Sequence, residues 1–412
     1  MALRIRQFLI RPAPCGDSDK MTDEIFRGDG YQSEFEAHVV SVEGDEVKLD
    51  CTAFYPGGGG QVCDTGEIRG QRVTEVCYKG DDIVHKVPGN DLKVGEKVWC
   101  SVDWDRRFDL MQGHTGEHLL FCSLKRQCED LQITKIFISP ESKYVIVNHD
   151  IEWSQIGAAL KFANQAIKDN LPVTKSIMDR DDPELEKVRI KLDRIAEDEQ
   201  ISVVAIGDID LSACSGVHVM ETAELEMLTV VRKVSAGKDG VTIEFKVGSE
   251  AKDAANATSM IGMEIVDCIG CKASDAPKAV ANMKKELEAD RKALKEATKA
   301  ILDSCPEESV GSVPVQLCKV PGGDRNIMTE HAEAVKSRGG VAVYMAVGET
   351  VSVMVASGTS KVDCKRMFSE VLAPLGGRGG GKPDFAQGGI QDASKADEAM
   401  AALGDAVRSA LL

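Results

Sequence analysis

Two histidines four residues apart are the clearest chemical feature of this sequence. They are His114 and His118, in the segment MQGHTGEHLL at residues 111–120. Side chains at positions i and i+4 leave the same face of a helix, so both imidazoles could reach one metal ion. Taken alone, the pair is explained equally well by two half-buried or solvated histidines that bind no metal ion.

A second pair of metal-binding residue types, Cys214 and His218, has the same spacing in the segment CSGVH. Three of the 7 histidines of the chain fall in these two segments, which a scattered distribution does not explain. One thiolate and three imidazoles are ligands that zinc prefers, and together they fill its tetrahedral shell. The sequence therefore predicts a Zn²⁺ site, and a candidate catalytic centre, formed by His114, His118, Cys214 and His218.

A different zinc chemistry is also open, because HTGEH matches the H-x-x-E-H motif of inverted zinc peptidases. In that motif the glutamate, here Glu117, is the general base, and an acidic residue downstream completes the ligand set. The candidates for this ligand are Glu184, Glu186 and Glu197. This alternative assigns no function to the CSGVH segment or to the Gly-rich segments.

The composition is that of a globular protein. The chain is 43% hydrophobic and 28% charged, and it has no run of about 18 apolar residues that could span a bilayer. Its 13 cysteines are scattered and no secretory signal precedes them, so we expect thiols in the cytoplasm. The formal net charge of -17 argues against a generic nucleic-acid coat but leaves room for local basic patches.

At 412 residues the chain exceeds one ordinary hydrophobic core, and an α+β fold with several domains is expected. Residues 1–20 are interpreted as a leader, either disordered or the product of an early start ahead of Met21. The expected domains are a Gly-rich, β-barrel-like domain at 21–104, an α+β zinc domain at 105–248, a long helical arm at 249–304 and a small α/β domain at 305–412.

Local patterns predict the elements that position the candidate ligands. Apolar spacing of three and four predicts a helix over residues 106–126, with both histidines of the first segment on one face. A charged helix is predicted over 182–198, and β-branched runs predict hairpins over 38–51 and 228–248. The segment LGGRGGGKPDFAQGG, residues 375–389, is expected to be a loop.

The predicted helical arm has an apolar residue at every seventh position. One isolated helix cannot bury such a stripe, so it must pack on its own domain or on a second chain. The residues of the stripe are Val280, Leu287, Leu294 and Ile301.

Four segments, in this order, resemble those of the alanyl-tRNA editing proteins. They are LDCTAFYPGGGGQVCDTG (49–66), GHTGEHLL (113–120), CSGVHV (214–219) and LGGRGGGKPDFAQGG (375–389). The first three resemble the free-standing, AlaX-type relatives of the editing domain of alanyl-tRNA synthetase. The fourth resembles the tRNA-binding C-terminal domain of the same synthetases, so the chain resembles the long form of the editing proteins from Met21 onward.

This resemblance implies a zinc-dependent hydrolase that removes serine, or glycine, mischarged onto the tRNA for alanine. It implies the same four zinc ligands, and substrate contacts by Gln61 and by Thr134, at the place of a pocket hydroxyl that recognises serine. It also implies tRNA contacts in the fourth segment, where backbone amides and cations can approach phosphates. The residues concerned are Arg378, Gly379, Gly380, Gly381 and Lys382.

The expected partner is therefore a mischarged tRNA, and a homodimer through the helical arm and the C-terminal domain is expected as well. Nothing ahead of the β domain has room for a synthetase catalytic core, so no ATP-dependent aminoacylation is expected. Two other functions stay open. One is the inverted peptidase, and the other is a non-catalytic tRNA-binding protein in which zinc only stabilises the fold.

Overall fold

The computed structural model describes residues 21–190 and 201–412. The expected leader, Glu197 and the second half of the predicted charged helix lie outside these residues. The chain forms two compact units, residues 1–262 and 263–412, and each combines helices with mostly antiparallel strands. The α+β class predicted from the sequence is confirmed, whereas the finer boundaries at 104, 248 and 304 stay predictions.

The amino-terminal part of the first unit is built on an antiparallel sheet. Its elements are β1 (Asp23–Glu24), α1 (Ile25–Gly28), β2 (Glu34–Glu43), β3 (Glu46–Leu49), β4 (Cys51–Thr52), β5 (Gly66–Ile68), β6 (Gln71–Val73), β7 (Glu75–Lys79), β8 (Asp82–Lys86) and β9 (Lys97–Val102). Seven of these strands form one sheet in the order β6-β5-β9-β2-β3-β8-β7. The predicted hairpin at 38–51 is the β2–β3 pair near its centre.

The rest of the first unit surrounds one long buried helix. Its elements are α2 (Trp104–Lys125), β10 (Ile133–Ile138), β11 (Lys143–Val147), α3 (Trp153–Asp169), β12 (Val173–Met178), β13 (Ile201–Ile206), β14 (Asp210–Ala213), β15 (Leu228–Ser235) and β16 (Val241–Val247). The strands form two antiparallel sheets, β10-β11-β16-β15 and β12-β13-β14. Helix α2 packs against α3, β14 and β16, and all of residues 110–124 are buried. Its polar side chains are therefore held in the interior.

The predicted helix at 106–126 and the hairpin at 228–248 are confirmed as α2 and β15–β16. The predicted charged helix at 182–198 is wrong over its described part. Within that part only Pro183–Lys187 are helical, as a single 3₁₀ turn, and Arg189 then pairs with Ser212 on β14. Leu185 and Val188 pack against β13, and this tertiary pairing overrides the local helix propensity.

Two long helices follow, α4 (Gly248–Ile269) and α5 (Ala276–Ser304). Helix α5 carries the predicted apolar stripe. Val280, Leu287 and Leu294 are 49%, 51% and 39% exposed, whereas Ile301 contacts the core of the second unit. Most of the stripe is therefore left uncovered by the residues that the structure describes.

A six-stranded sheet forms the core of the second unit. The elements after α5 are β17 (Glu307–Val310), β18 (Val313–Pro321), α6 (Arg325–Ser337), β19 (Val341–Val347), β20 (Val351–Ser357), α7 (Cys364–Arg366), β21 (Gly377–Lys382), β22 (Phe385–Ile390) and α8 (Ala396–Leu411). The strand order is β17-β18-β19-β20-β22-β21. In β19, Val343 packs in the cluster that includes α8, and Tyr344 packs in the cluster that includes α6. Burial on both faces explains why this strand is a continuous apolar run.

The Gly-rich segment 375–389 is not the loop that the sequence predicts. It forms the hairpin β21–β22 at the edge of the sheet, with Gly379 opposite Gly388. A Cβ at either glycine would overlap the facing strand and the ring of Phe368. Glycine is generally unfavourable in strands, but here its small size permits a close approach that other residues exclude.

Among the described residues, no helix is both long and apolar enough to cross a membrane. The cysteines in this part of the chain are all free thiols.

Candidate metal centre

Four side chains from two segments converge inside the first unit. His114 and His118 project from α2, while Cys214 and His218 lie in the loop after β14. Their candidate ligand atoms all lie within 4.8 Å of one another. The Sγ atom of Cys214 is 3.3 Å from Nε2 of His114 and 3.3 Å from Nε2 of His218. The structure thus brings together all four residues that the sequence predicts.

Each imidazole is oriented by a contact through its Nδ1 atom. The three contacts are His114 Nδ1 to Gln61 Oε1 at 2.7 Å, His118 Nδ1 to Asp210 Oδ2 at 3.0 Å, and His218 Nδ1 to Thr115 Oγ1 at 3.1 Å. Amide and carboxylate oxygens only accept, so Nδ1 carries the proton in the first two rings. The Nε2 atoms remain for a metal ion, which is the usual arrangement of metal-binding histidines.

The loop that carries Cys214 is fixed to two neighbouring elements. The Cys214 amide donates to a carbonyl on β13 at 2.9 Å, and the Val219 amide donates to Oγ1 of Thr115 on α2 at 3.2 Å. Gly216, between them, lies directly against the ring of His114, and a Cβ there would overlap that ring. The glycine of the CSGVH segment is therefore required for the close approach of the loop to α2.

Burial and neighbouring charges separate the protonation states in this cluster. Burial alone would raise the pKa of the Cys214 thiol, but the imidazoles of His114 and His218 lower it well below its usual value. Burial disfavours the imidazolium of His118, yet hydrogen bonds to Asp210 and Cys214 raise its pKa to about 10. Burial, together with the neighbouring His114, lowers the pKa of His218 to about 3. The cluster therefore combines a thiolate with a proton on Nε2 of His118, the proton that a metal ion would displace on binding.

A buried carboxyl group indicates that this interior suits a cation. The side chain of Glu117 is 0% exposed, and neither of its oxygens has a hydrogen-bond partner among the described residues. Its Oε2 lies 3.8 Å from Nε2 of His118. A buried acidic group without hydrogen bonds is unfavourable unless a cation accompanies it. This group and the thiolate and imidazole donors fit a divalent metal ion.

The turn YPGGGGQ brings Gln61 to the edge of the cluster. The Ile138 amide donates to the carbonyl of Gly60 at 2.8 Å, and the Val62 amide donates to the carbonyl of Ile138 at 3.0 Å, so the turn is fastened to the end of β10. Gln61 is buried, and its Nε2 has no hydrogen-bond partner among the described residues. An amide donor is thus left beside the ring of His114.

The same turn is tied to α2 through a buried ion pair. Arg107 on α2 and Asp64, both fully buried, are in contact, and Asp64 also accepts from the backbone amide of Tyr55 at 2.7 Å. Since Tyr55 and Asp64 flank the turn, the helix that supplies two histidines also positions Gln61.

Thr134, the expected pocket hydroxyl, is not brought to the cluster. It is exposed on β10, where its hydroxyl contacts the backbone carbonyls of Ile146 at 3.1 Å and Asp239 at 3.3 Å. Ile138, four residues later on β10, is the residue that pairs with Gln61. Thr134 is therefore about 13 Å away from that residue along the strand. Its placement is that of a strand threonine and gives no support to the expected substrate contact.

The acidic ligand that an inverted peptidase needs is also not found at this site within the described ranges. Glu184 and Glu186 are exposed, and Glu184 lies 3.5 Å from Lys187. Cys214 and His218 occupy the corresponding places beside the histidines of α2.

The expected tRNA-binding residues lie in the second unit, on an edge strand. All five residues are exposed on β21, and no strand of residues 21–190 or 201–412 pairs with its outer edge. They are Arg378, Gly379, Gly380, Gly381 and Lys382. In the described part of the chain, neither cation forms an ion pair.

Two residues of the site, Asp210 and Thr115, were not predicted. Asp210 lies on β14 four residues before Cys214. An acidic residue on the strand that leads to a candidate ligand is a sequence signal from which a partner for one of the imidazoles could have been predicted. Thr115 gives no such signal, because only the fold brings His218 to it.

Two family models match parts of the chain. The model "tRNA synthetases class II (A)" matches residues 20–106, and the model "DHHA1 domain" matches residues 312–409. A solved C-Ala domain of alanyl-tRNA synthetase from Aquifex aeolicus matches 26% of this chain and 97% of that chain, with 25% identity and a TM-score of 0.23.

Two relatives match most of the sequence. The alanine–tRNA ligase of Methanoregula boonei is 29% identical over 392 residues, which are 92% of this chain and 43% of the ligase. The alanyl-tRNA editing protein AlaX-L of Pyrococcus horikoshii is 29% identical over 390 residues, which are 90% of this chain and 95% of that protein. The chain thus spans less than half the length of the ligases it matches. Over most of its length it is similar both to alanine–tRNA ligases and to an alanyl-tRNA editing protein.

Proposed function

We propose that this chain is a zinc-dependent deacylase that hydrolyses mischarged tRNA specific for alanine. The observation that supports this most is the cluster of one cysteine and three oriented histidines in the first unit. A relative named as an alanyl-tRNA editing protein matches over nearly its whole length, and this supports a tRNA substrate. The reaction belongs in the cytoplasm, where aminoacyl-tRNA is used.

The four clustered residues would hold the zinc, because a thiolate and imidazoles are its preferred ligands. Zinc, when bound, polarises a carbonyl or lowers the pKa of a water molecule. The ester between an amino acid and the terminal ribose is already activated, so no nucleophilic side chain is required. The contribution of Gln61, Asp210 and Thr115 is to hold the three rings so that each Nε2 faces Cys214.

Gln61 is proposed to bind the reacting group of the substrate. Its Oε1 accepts from His114, and its buried Nε2 donors have no partner among the described residues. An oriented donor in a water-poor site can hydrogen-bond a carbonyl oxygen as negative charge grows on it. Removing one such donor typically lowers kcat by about 10²–10³-fold.

Two cations near the cluster suit the phosphates of a tRNA end. Lys175 on β12 is an exposed residue, although partial desolvation of its ammonium group and then the charge of Arg27 lower its pKa, against the opposing charges of Cys214 and Glu24. Arg27 itself is paired with Glu24. A lysine beside an arginine gains from an anionic partner. We propose that Lys175 and Arg27 contact the backbone of the acceptor end.

In the second unit, strand β21 is proposed to contact the tRNA further from the ester. Its glycines leave the outer backbone amides accessible, and Arg378 and Lys382 add positive charge without ion-pair partners in the described residues. The net charge of -17 repels RNA at long range, so a few local cations must carry the contact.

The uncovered stripe of α5 supports a homodimer. Val280, Leu287 and Leu294 recur every seven residues and are exposed, which is the pattern of a helix that packs against another helix. We propose that the second copy covers this stripe. Leu287→Glu should shift the mass measured by light scattering from two chains to one, and an unchanged mass would exclude α5 from the contact.

The amino acid removed is proposed to be serine, or glycine, while correctly charged alanyl-tRNA is left largely intact. A site that hydrogen-bonds the serine hydroxyl can reject alanine, which lacks it, by roughly 10⁴-fold or more. Glycine also lacks a hydroxyl, so its removal would depend on its smaller size and not on this contact. The groups that read this hydroxyl would lie around Gln61, since the placement of Thr134 does not support it.

One observation favours a second function. Four protein ligands fill the zinc shell, which is typical of structural zinc sites and suits a non-catalytic tRNA-binding protein. Release of labelled serine from seryl-tRNA for alanine separates the two functions. The wild type should release serine, and Cys214→Ser should lose this activity together with its zinc. Binding of tRNA without release, or cleavage of peptides instead, would overturn the deacylase proposal.

A further inference from the structure

A second group of metal-binding side chains lies at the surface of the first unit and shares no residue with the first cluster. Cys128 follows the end of α2, Asp130 comes two residues later, and His149 follows β11. The Sγ atom of Cys128 lies 2.9 Å from Nε2 of His149 and 3.2 Å from Oδ1 of Asp130. The third pair, His149 Nε2 and Asp130 Oδ1, is separated by 3.6 Å. Three different donor atoms thus face one another.

The backbone holds these segments in place. The side chain of Asn148 accepts from the Gln132 amide at 2.8 Å and donates to the Asp130 carbonyl at 3.3 Å. The Asn148 amide also donates to the carbonyl of Gln132 at 3.0 Å. Cys128 is partly buried against the hydrophobic core, so its Cβ position is fixed. Asn148, which lies between β11 and His149, therefore joins the two segments independently of any metal ion.

The donor types and their exposure define what this site would bind. Thiolate, imidazole and carboxylate together suit Zn²⁺ and similar divalent ions, and three ligands leave a position for water. The side chains of His149 and Asp130 are 34% and 84% exposed, so an ion can enter and leave directly. Tetrahedral zinc separates its sulfur and nitrogen ligands by about 3.6 Å. Because these side chains are exposed, a small rotation is enough to reach that separation.

A reactive or redox-sensing thiol is the other use of such a cysteine. Reactive thiols usually have a lowered pKa. Here the sulfur faces the carboxylate of Asp130 at 3.2 Å, and a neighbouring negative charge disfavours a thiolate that has no cation beside it. The geometry is the stronger observation, since an aspartate beside a cysteine and a histidine is a ligand for a cation.

We propose that Cys128, Asp130 and His149 form a second, exchangeable site for a thiophilic divalent cation such as Zn²⁺. This site does not depend on the proposed deacylase activity. It predicts that the chain binds two zinc ions, one held tightly in the buried cluster and one held more weakly at the surface.

The test is a titration of the full-length protein with Zn²⁺ in the presence of a chromophoric chelator, compared between variants. Cys128→Ser and His149→Ala should each weaken the second binding event by about 100-fold or more, since even outer-shell changes weaken metal sites by about 10–100-fold. The tight site and serine release should be unchanged in both. Cys77→Ser, which removes an exposed thiol on β7, is the matched control and should alter neither site.

Cobalt gives a second readout that identifies the ligand. In Cys214→Ser the buried site is impaired, so added Co²⁺ should produce a thiolate-to-metal absorption that disappears when Cys128→Ser is combined with it. Wild-type protein that binds only one zinc ion, or a second ion that survives both Cys128→Ser and His149→Ala, would overturn the proposal. Neither result would affect the deacylase assay, so the two proposals fail separately.

Discussion

Oδ2 of Asp210 lies 3.0 Å from Nδ1 of His118, on the side of the ring away from Cys214. Asp210 in turn accepts from the hydroxyl of Ser212 at 2.7 Å and lies 3.5 Å from Arg189. Burial would raise the pKa of Asp210, but the hydrogen bond from His118 and the charge of Arg189 lower it. A charged carboxylate therefore fixes the ring and strengthens its Nε2 as a donor.

Asp210→Asn should weaken zinc binding by about 10–100-fold, because the ring loses its charged partner while the shape of the site is kept. The dissociation constant is measured by chelator competition. Asp208→Asn changes an exposed aspartate two residues earlier and serves as the control. Equal zinc affinity in both variants would show that Asp210 does not strengthen the binding of zinc by His118.

Gly216→Ala should displace the ring of His114 or the loop, because the added methyl group would overlap the imidazole. We expect the buried site to lose its zinc even if the free energy of unfolding changes little. Gly157→Ala is a suitable control, since a Cβ there meets nothing and should stabilise α3 by about 0.5–1 kcal/mol. Zinc content after dialysis distinguishes them, and a fully loaded Gly216→Ala protein would contradict the argument.

Two substitutions of Gln61 separate its two proposed contributions. Gln61→Glu keeps an oxygen that accepts from His114 but removes the Nε2 donor, whereas Gln61→Ala removes both. Gln61→Glu should retain zinc and lose about 10²-fold or more in kcat for serine release. Gln61→Ala should in addition weaken zinc binding. Full activity of Gln61→Glu would mean that Gln61 only orients the ring of His114 and does not bind the substrate through its Nε2.

The sequence was sufficient to find the four clustered residues because helical geometry is local. His114 and His118 share a face of α2 wherever that helix packs, and the matching spacing of Cys214 and His218 pointed to one site. The partners of these rings depend on tertiary structure. Asp210 reaches His118 only because β14 packs on α2, and no local pattern specifies that packing.

The errors also have physical causes. The hairpin β21–β22 was predicted as a loop because glycine is unfavourable in most strands, but the facing glycines 379 and 388 leave room for Phe368. The helix predicted over the charged segment 182–198 does not form in its described part, because Leu185 and Val188 are buried against β13 in a different conformation. In both cases contacts with distant residues outweigh the local preference.

Arg378→Ala and Lys382→Ala should each weaken tRNA binding and lower the slope of log affinity against log salt by about one. Zinc content and the release of serine at saturating tRNA should be unchanged, since β21 lies in the other unit. Lys365→Ala, an exposed lysine on α7, is the control. If all three variants behave alike, β21 has no specific role in recruiting tRNA.

His85 gives the fold a predictable sensitivity to acid. It is fully buried on β8, with Nε2 2.8 Å from the hydroxyl of Thr52 and Nδ1 3.1 Å from the carbonyl of Val47. Burial lowers its pKa to about 4, despite the hydrogen bond to Val47, so the neutral ring is the form that the folded protein accommodates. In the unfolded chain the ring takes up a proton near its ordinary pKa of about 6.5.

Between about pH 6.5 and pH 4 the unfolded state therefore binds more protons than the folded state, and stability falls as the pH falls. At pH 5 this loss should be about 2 kcal/mol relative to pH 7.5. Urea unfolding measured across this range should show the slope, and His85→Gln should flatten it even if its stability is lower at every pH. A slope that is unchanged in His85→Gln would assign the acid sensitivity to other groups.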